Sequence, residues 1–148
     1  MQNIWIFPLA RKASEDLRSE LEQVLAGWKA HGKPVPSRMQ FVEDRLLVVE
    51  ALDEKSGCSI DWMTQMVLAR VARHGNQLLD ASTVFYYRAD RLCECHYNQV
   101  PDLLQRGVLA PHTQVLDITC VHRGSLDGLR TTMASSWLSR FLPLEVSE

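Results

Sequence analysis

Arg45-Leu46-Leu47-Val48-Val49-Glu50-Ala51-Leu52 is the stretch that decides the fold. Its four consecutive apolar residues, Leu46 to Val49, lack polar alternation, which predicts a strand buried on both faces and so central in a sheet. Just upstream, Ser37 to Glu43 reads as a second strand, joined to the first by a tight turn near Glu43-Asp44. The other continuously apolar run, Ile4-Trp5-Ile6-Phe7, lies in a strand predicted from Asn3 to Phe7.

Between these runs the periodicity changes. Leu17, Leu21, Val24, Leu25 and Trp28 form one stripe of an amphipathic helix, with Ser14 as N-cap and Glu15 and Asp16 in the first turn. The predicted helix runs from Ser14 to His31. His31 falls on the stripe, Gly32 is the stop signal, and Lys33-Pro34-Val35-Pro36 cannot continue a helix. Beyond the loop Asp53 to Cys58, Ser59 reads as the N-cap of a second helix that reaches about Arg73 and ends at His74-Gly75. Ile60, Met63, Val67 and Val71 make its first apolar face; Trp62, Met66 and Ala69 make a second. A fourth strand follows at Thr83 to Arg88.

Strand, helix, strand, strand, helix, strand is the ferredoxin-like split βαββαβ pattern, an α+β arrangement with two helices on one face of an antiparallel sheet. Its first and third strands are central, and here they are the two most apolar runs. The remaining chain is expected to extend that sheet. Leu92 to Tyr97 hairpins with the fourth strand through Ala89-Asp90, a short helix spans Pro101 to Arg106, a strand spans Gln114 to His122, and a last helix spans about Leu129 to Phe141. No boundary is placed, so residues 1–148 are read as a single α+β domain.

With 148 residues, 46% hydrophobic and 23% charged, the composition excludes a disordered tail, a collagen-like fibre and a disulfide-dense miniprotein. A net charge of -2 gives no electrostatic reason to expect nucleic acid. No apolar run approaches the ~20 residues of a membrane span, and the N-terminal segment reads as a strand, not a signal peptide. Four cysteines, Cys58, Cys93, Cys95 and Cys120, are too few and too unevenly spaced for a secreted disulfide framework, which points to the cytoplasm.

In the predicted topology the end of the first helix and the start of the second meet at one end of the sheet. That brings His31-Gly32 beside Ser56-Gly57-Cys58-Ser59-Ile60-Asp61. A thiol at a helix N-terminus is stabilised as thiolate by the dipole, and a nearby histidine accepts its proton or pairs with it. Cys58 is thus the candidate nucleophile or polar anchor and His31 its base or ion-pair partner. Ser56, Gly57 and Ser59 are a candidate anion cradle. Asp61 and Arg38 are candidates for orienting a ligand, Arg88 for adding a charge-assisted hydrogen bond, and Trp28 for lining the site, each with an ordinary structural role as its alternative.

Trp28-Lys29-Ala30-His31-Gly32 and Ser56-Gly57-Cys58-Ser59-Ile60-Asp61 resemble the Trp-x-x-His-Gly and Ser-Gly-Cys-Ser-Ile-Asp signatures of a family of small uncharacterised bacterial proteins, sometimes mislabelled as transporter ATPases. The resemblance spans about the first half of the chain and implies that the two motifs belong together. It supplies no substrate. The ATPase label does not fit, since no G-x-x-x-x-G-K-[ST] loop is present.

Cys93-Glu94-Cys95-His96 and Cys120-Val121-His122 are weak zinc candidates: if their strands pair, Cys93, Cys95, Cys120 and His122 surround one point. One-residue spacing is unusual for structural zinc, so no cofactor is expected. Phe85-Tyr86-Tyr87-Arg88 lacks the basic, glycine-containing RNA-binding signature, and no G-x-S-x-G appears. The expectation is a cytoplasmic small-molecule enzyme or anion-binding protein, with no nucleic acid or membrane partner. The alternative is a noncatalytic interaction module that dimerises or binds a protein through an open sheet face, the second apolar face of Trp62, Met66 and Ala69 being covered by the C-terminal segment or by another subunit.

Overall fold

The computed structural model describes residues 3–52 and 57–143, without the side chain of Cys58. Ser56 and the rest of the loop before it lie outside the described residues. The chain forms two compact units, Met1–Leu79 and Asp80–Glu148. Both are α+β in the simple sense that antiparallel strands and helices share a core.

In the first unit, β1 (Ile4–Pro8), β4 (Ser37–Val42) and β5 (Leu46–Ala51) form an antiparallel sheet in the order β1-β5-β4. The central place of β5 follows from its composition: Leu46, Leu47, Val48 and Val49 expose 1% or less. Glu43-Asp44-Arg45 turns the chain between β4 and β5, with positive φ at Glu43 and Asp44 and Arg45 N–H donating to the Val42 carbonyl. The helices α1 (Glu15–Ala26) and α2 (Gly57–Arg73) pack on one face. Leu17, Leu21 and Leu25 from α1 and Met63, Val67 and Val71 from α2 meet Phe7, Leu47 and Val49 from the sheet. Ser14 caps α1, its hydroxyl accepting from Leu17 N–H at 3.1 Å. Glu20 on α1 meets the C-terminal end of α2, its Oε2 lying 3.1 Å from His74 Nε2 and 3.8 Å from Arg73.

Several elements differ from the sequence reading. The first helix ends at Ala26 rather than His31, because Gly27 and not Gly32 is its C-cap. The next residues form a two-strand hairpin, β2 (Lys29–Ala30) and β3 (Lys33–Pro34), with His31-Gly32 as its turn. Positive φ at both turn residues, 54° and 78°, is what a tight hairpin of this hand requires. The second helix starts at Gly57, so Ser59 lies within its first turn, and is not the N-cap. The strand predicted to complete the first sheet, Thr83–Arg88, belongs to another sheet. Beside β1 the chain instead makes one antiparallel bridge, Leu9 to Leu78, flanked by Leu79 N–H to the Pro8 carbonyl and Ala10 N–H to the Gln77 carbonyl.

The second unit is built on an antiparallel sheet of β6 (Thr83–Arg88), β7 (Arg91–His96), β8 (Gln114–Leu116) and β9 (Arg130–Thr132), in the order β7-β6-β8-β9. The predicted Ala89-Asp90 hairpin is present, with positive φ at both residues. A short helix, α3 (Val100–Gln105), follows. The strand expected to reach His122 stops at Leu116, because Asp117 turns the chain into a 3-10 helix, Ile118–Arg123. The expected last helix is β9 followed by two 3-10 turns, Met133–Ser135 and Trp137–Phe141.

Asp117, 3% exposed, explains both departures. Its carboxylate accepts from the Thr119 N–H and hydroxyl and, 20 positions further on, from Trp137 N–H at 3.2 Å. Its own N–H donates to the Leu129 carbonyl. One buried carboxylate thus caps one turn and holds the start of another. Asp117→Ala leaves those donors unsatisfied, and a lost bond to a buried charged acceptor costs on the order of 1.5–3 kcal/mol. Urea unfolding of the full chain is expected to show that loss, with Asp117→Asn retaining part of it; an unchanged midpoint in Asp117→Ala would remove Asp117 from this role.

Candidate functional site

The first unit sets β2, the strand that follows Trp28, in contact with α2. Trp28 has no exposed surface. Its indole packs edge-on against Trp5, with centroids 5.8 Å apart, and shares a core with Ile60 and Met63 from the first turns of α2. Trp28 also spans the base of the hairpin, since Val35 N–H donates to its carbonyl at 2.9 Å. β2 therefore touches α2, and the Trp62 ring lies about 4.0 Å from where a side chain on Gly27 would begin.

His31 leaves the apolar stripe on which the sequence reading placed it. It stands exposed on the hairpin turn, in the left-handed region that histidine tolerates better than most residues. Lys29 and Lys33, also exposed, flank it on the two hairpin strands. The sequence reading missed these two cations, although the signal was available: Gly27 as a helix stop, then His-Gly four residues later, reads as a hairpin.

The remaining candidates separate. Trp28 belongs to the core, and its buried Nε1–H has no acceptor among the described residues. Gly57 is exposed at the start of α2, Ser59 is 5% exposed, and Asp61 is exposed. Cys58 is the second residue of α2; its side chain, like Ser56, is outside the described residues. Arg38, on β4, pairs with Glu50 across the sheet at 3.7 Å and is two-thirds exposed. Arg88 belongs to the second unit, exposed at the end of β6, because that strand joins the other sheet.

The zinc candidates do not assemble as supposed. Cys93 and Cys95 lie on β7, β6 stands between β7 and β8, and Cys120 and His122 are on the 3-10 helix and share no strand face. Cys120 is buried while His122 is exposed. Among the described residues, no group of three His, Cys, Asp or Glu is placed to hold a metal ion. Burial, with help from Glu94, pushes the Cys95 thiol up to about 11, and burial also raises Cys120. Desolvation raises the Tyr86 phenol too, with Cys93 and Cys95 adding to it.

No family model, no curated protein and no solved structure matches this chain. Among the described residues, no helix is long and apolar enough to cross a membrane.

Two outcomes follow. Removing the Trp28 side chain empties the base of the hairpin, and such large-to-small core changes cost about 3–5 kcal/mol. Trp28→Ala is expected to lower the unfolding free energy by that amount in urea titration; a cost below about 1 kcal/mol would deny it the anchoring role. The second concerns pH. A thiol whose folded pKa lies above its unfolded value keeps its proton longer in the fold, so its contribution is intact below the unfolded value and is lost as pH climbs toward the folded one. Cys95 alkylation is accordingly expected to stay slow at neutral pH and to rise toward pH 11, with Cys95→Ser flattening part of the alkaline loss of stability. A fast reaction at pH 8 would contradict it.

Proposed function

We infer that the protein binds a small anionic ligand where the β2–β3 hairpin meets the first turn of α2, with Cys58 as nucleophile or polar anchor. The observation that carries this reading is the seating of the hairpin against α2 by a wholly buried Trp28, with His31, Lys29 and Lys33 exposed on it. A helix N-terminus presents N–H groups and the positive end of its dipole, so positive charges beside it add to one electrostatic preference. His31 pairs with or deprotonates Cys58, and Gly57 leaves room for a ligand at the backbone. Ser56 and Ser59 complete the cradle, and Asp61 and Arg38 orient the ligand.

On the same reading the first unit is a ferredoxin-like split βαββα arrangement, with its fourth strand reduced to the bridge at Leu78. The order β1-β5-β4 and the antiparallel bridge on the outer side of β1 support it. The motif resemblance to the small bacterial family is part of this proposal, as is a cytoplasmic setting.

One observation favours the second reading, a noncatalytic interaction module. Trp62, 40% exposed, lines one groove of α2 with half-buried Met66 and with Val24 and Gly27, and a contiguous apolar surface of that kind serves partner contacts.

The experiment is the pH dependence of Cys58 alkylation, followed by peptide mass mapping so that Cys93, Cys95 and Cys120 serve as internal controls. A midpoint well below the ordinary ~8.5, moving upward in His31→Ala, is expected. Inorganic phosphate should then bind saturably, and His31→Ala should weaken it about ten- to a hundredfold, since a bond to a charged group is worth on the order of 1.5–3 kcal/mol. A Cys58 that reacts only on unfolding, together with no phosphate binding, would retire the anion site in favour of the interaction module.

A further inference from the structure

The two edges of the first sheet are finished differently. The outer side of β1 is met by the Leu78 bridge and its flanking bonds. The outer side of β4 pairs with no strand among the described residues. A six-residue open edge is a template for another chain unless it is blocked; β4 contains neither proline nor lysine, and its one charged side chain, Arg38, pairs with Glu50 of β5.

Which backbone groups point outward follows from the register. Leu52 N–H donates to the Pro36 carbonyl, and Ala51 N–H donates to the Asn3 carbonyl. Even-numbered residues of β5 therefore face β4 and odd-numbered ones face β1. Given the pairing of Arg38 with Glu50 and Gln40 with Val48, the even residues of β4 bond to β5. The N–H and C=O groups of Ser37, Met39 and Phe41 point to the open side. Their side chains share the helix-bearing face, since Met39 and Phe41 pack against the core under α1 and Arg18 of α1 covers the Phe41 ring at 4.5 Å.

We propose that a second copy of this chain docks on that edge, β4 against β4 in antiparallel fashion about a two-fold axis through Met39, to make one continuous six-stranded sheet. Self-pairing is favoured because this register satisfies every outward group at once. Met39 opposes the partner's Met39, and Ser37 opposes the partner's Phe41, each pair exchanging both of its N–H···O bonds. On the other face Arg38 opposes the partner's Gln40. Moving the axis to Arg38 sets two guanidinium groups opposite one another, which is destabilising; moving it to Gln40 puts Ser37 opposite the partner's Glu43, beyond the strand. Charge and bond count thus select a single register.

The helix side provides the matching space. Beside Ser37 runs a groove of about 420 Å³ lined by Leu25, Ala26, Val35 and Met39, with Glu22 at its rim. In the selected register the partner's Phe41 enters it over Ser37, which converts a half-buried ring into a buried contact. The interface is isologous, so each copy fills the other's groove. It rests on the sheet edge alone and stands or falls separately from the anion site.

Sedimentation velocity of the full chain across a wide concentration range tests this. A monomer–dimer equilibrium is expected. Met39→Lys and Met39→Glu should each be monomeric alone, because like charges then meet on the axis, and their equimolar mixture should recover the dimer. Hydrogen exchange supplies a readout without substitution: the amides of Met39 and Phe41 are expected to gain about tenfold or more protection as the dimer forms, while those of Arg38 and Gln40 are protected at every concentration. A wild-type chain that stays monomeric overturns the proposal. So does a dimer that persists in both charged variants, or one abolished by Trp62→Ala with Met39 and Phe41 amides unprotected, which places the interface on α2.

Discussion

Trp28 has to be inside before anything at its end of the first unit has a defined position. The residue follows directly on the helix stop at Gly27, its carbonyl closes the following hairpin against Val35, and its ring packs edge-on against Trp5 in the core that also holds Ile60 and Met63 of α2. A hairpin with two residues per strand has almost no stability of its own in water. Its geometry is borrowed from the core through one side chain. The exposed turn of His31-Gly32 is as well placed as the packing beneath it, although neither residue contributes to that packing.

The second unit depends on a polar device where the first depends on an apolar one. Burying a carboxylate is costly unless its oxygens are fully engaged. Asp117 meets that condition by gathering N–H groups from two segments that carry little regular structure. Around it Met133 and Leu138 complete the core of Val84, Val100, Leu109 and Val115. Short 3-10 turns replace longer helices at this end of the chain, and they persist because side-chain oxygens of Asp117, Thr132 and Ser136 accept their leading N–H groups.

Much of the first unit was legible because its signals are strong and local. Four consecutive apolar residues made β5 central, the stripe from Leu17 to Leu25 made α1, and the Glu43-Asp44 turn was found where expected, as was the Ala89-Asp90 turn of the second unit. The errors have specific causes. The periodic stripe carried the helix through Trp28, whereas Gly27 had already ended it and the indole reached the core from an extended segment. Thr83–Arg88 has every property of a strand, but a strand's pattern does not say which sheet it joins. At the C-terminal end the helix expected over Leu129 to Phe141 is replaced by β9 and two 3-10 turns, in which Met133 and Leu138 are deeply buried and Trp137 and Phe141 half-buried. Of the candidate site, strand direction set the end of the first helix beside the start of the second, whereas the structure puts β2 of the hairpin in contact with α2. Placing His31 on a helix hides the hairpin cations Lys29 and Lys33, which become neighbours of its turn only when the chain doubles back after Gly27.

The single bridge between Leu9 and Leu78 also bears on the order of assembly. β4 and β5 are joined by three residues and can zip with little loss of chain entropy, whereas the bridge joins nearly opposite ends of the first unit and must close most of it into one loop. Contacts with so large a separation and so few bonds form last and open first. The hairpin, α2 and β4 are then in place while the β1 edge is still free, so for a short interval during folding the nascent sheet has two sticky sides and only one of them is destined to be closed from within.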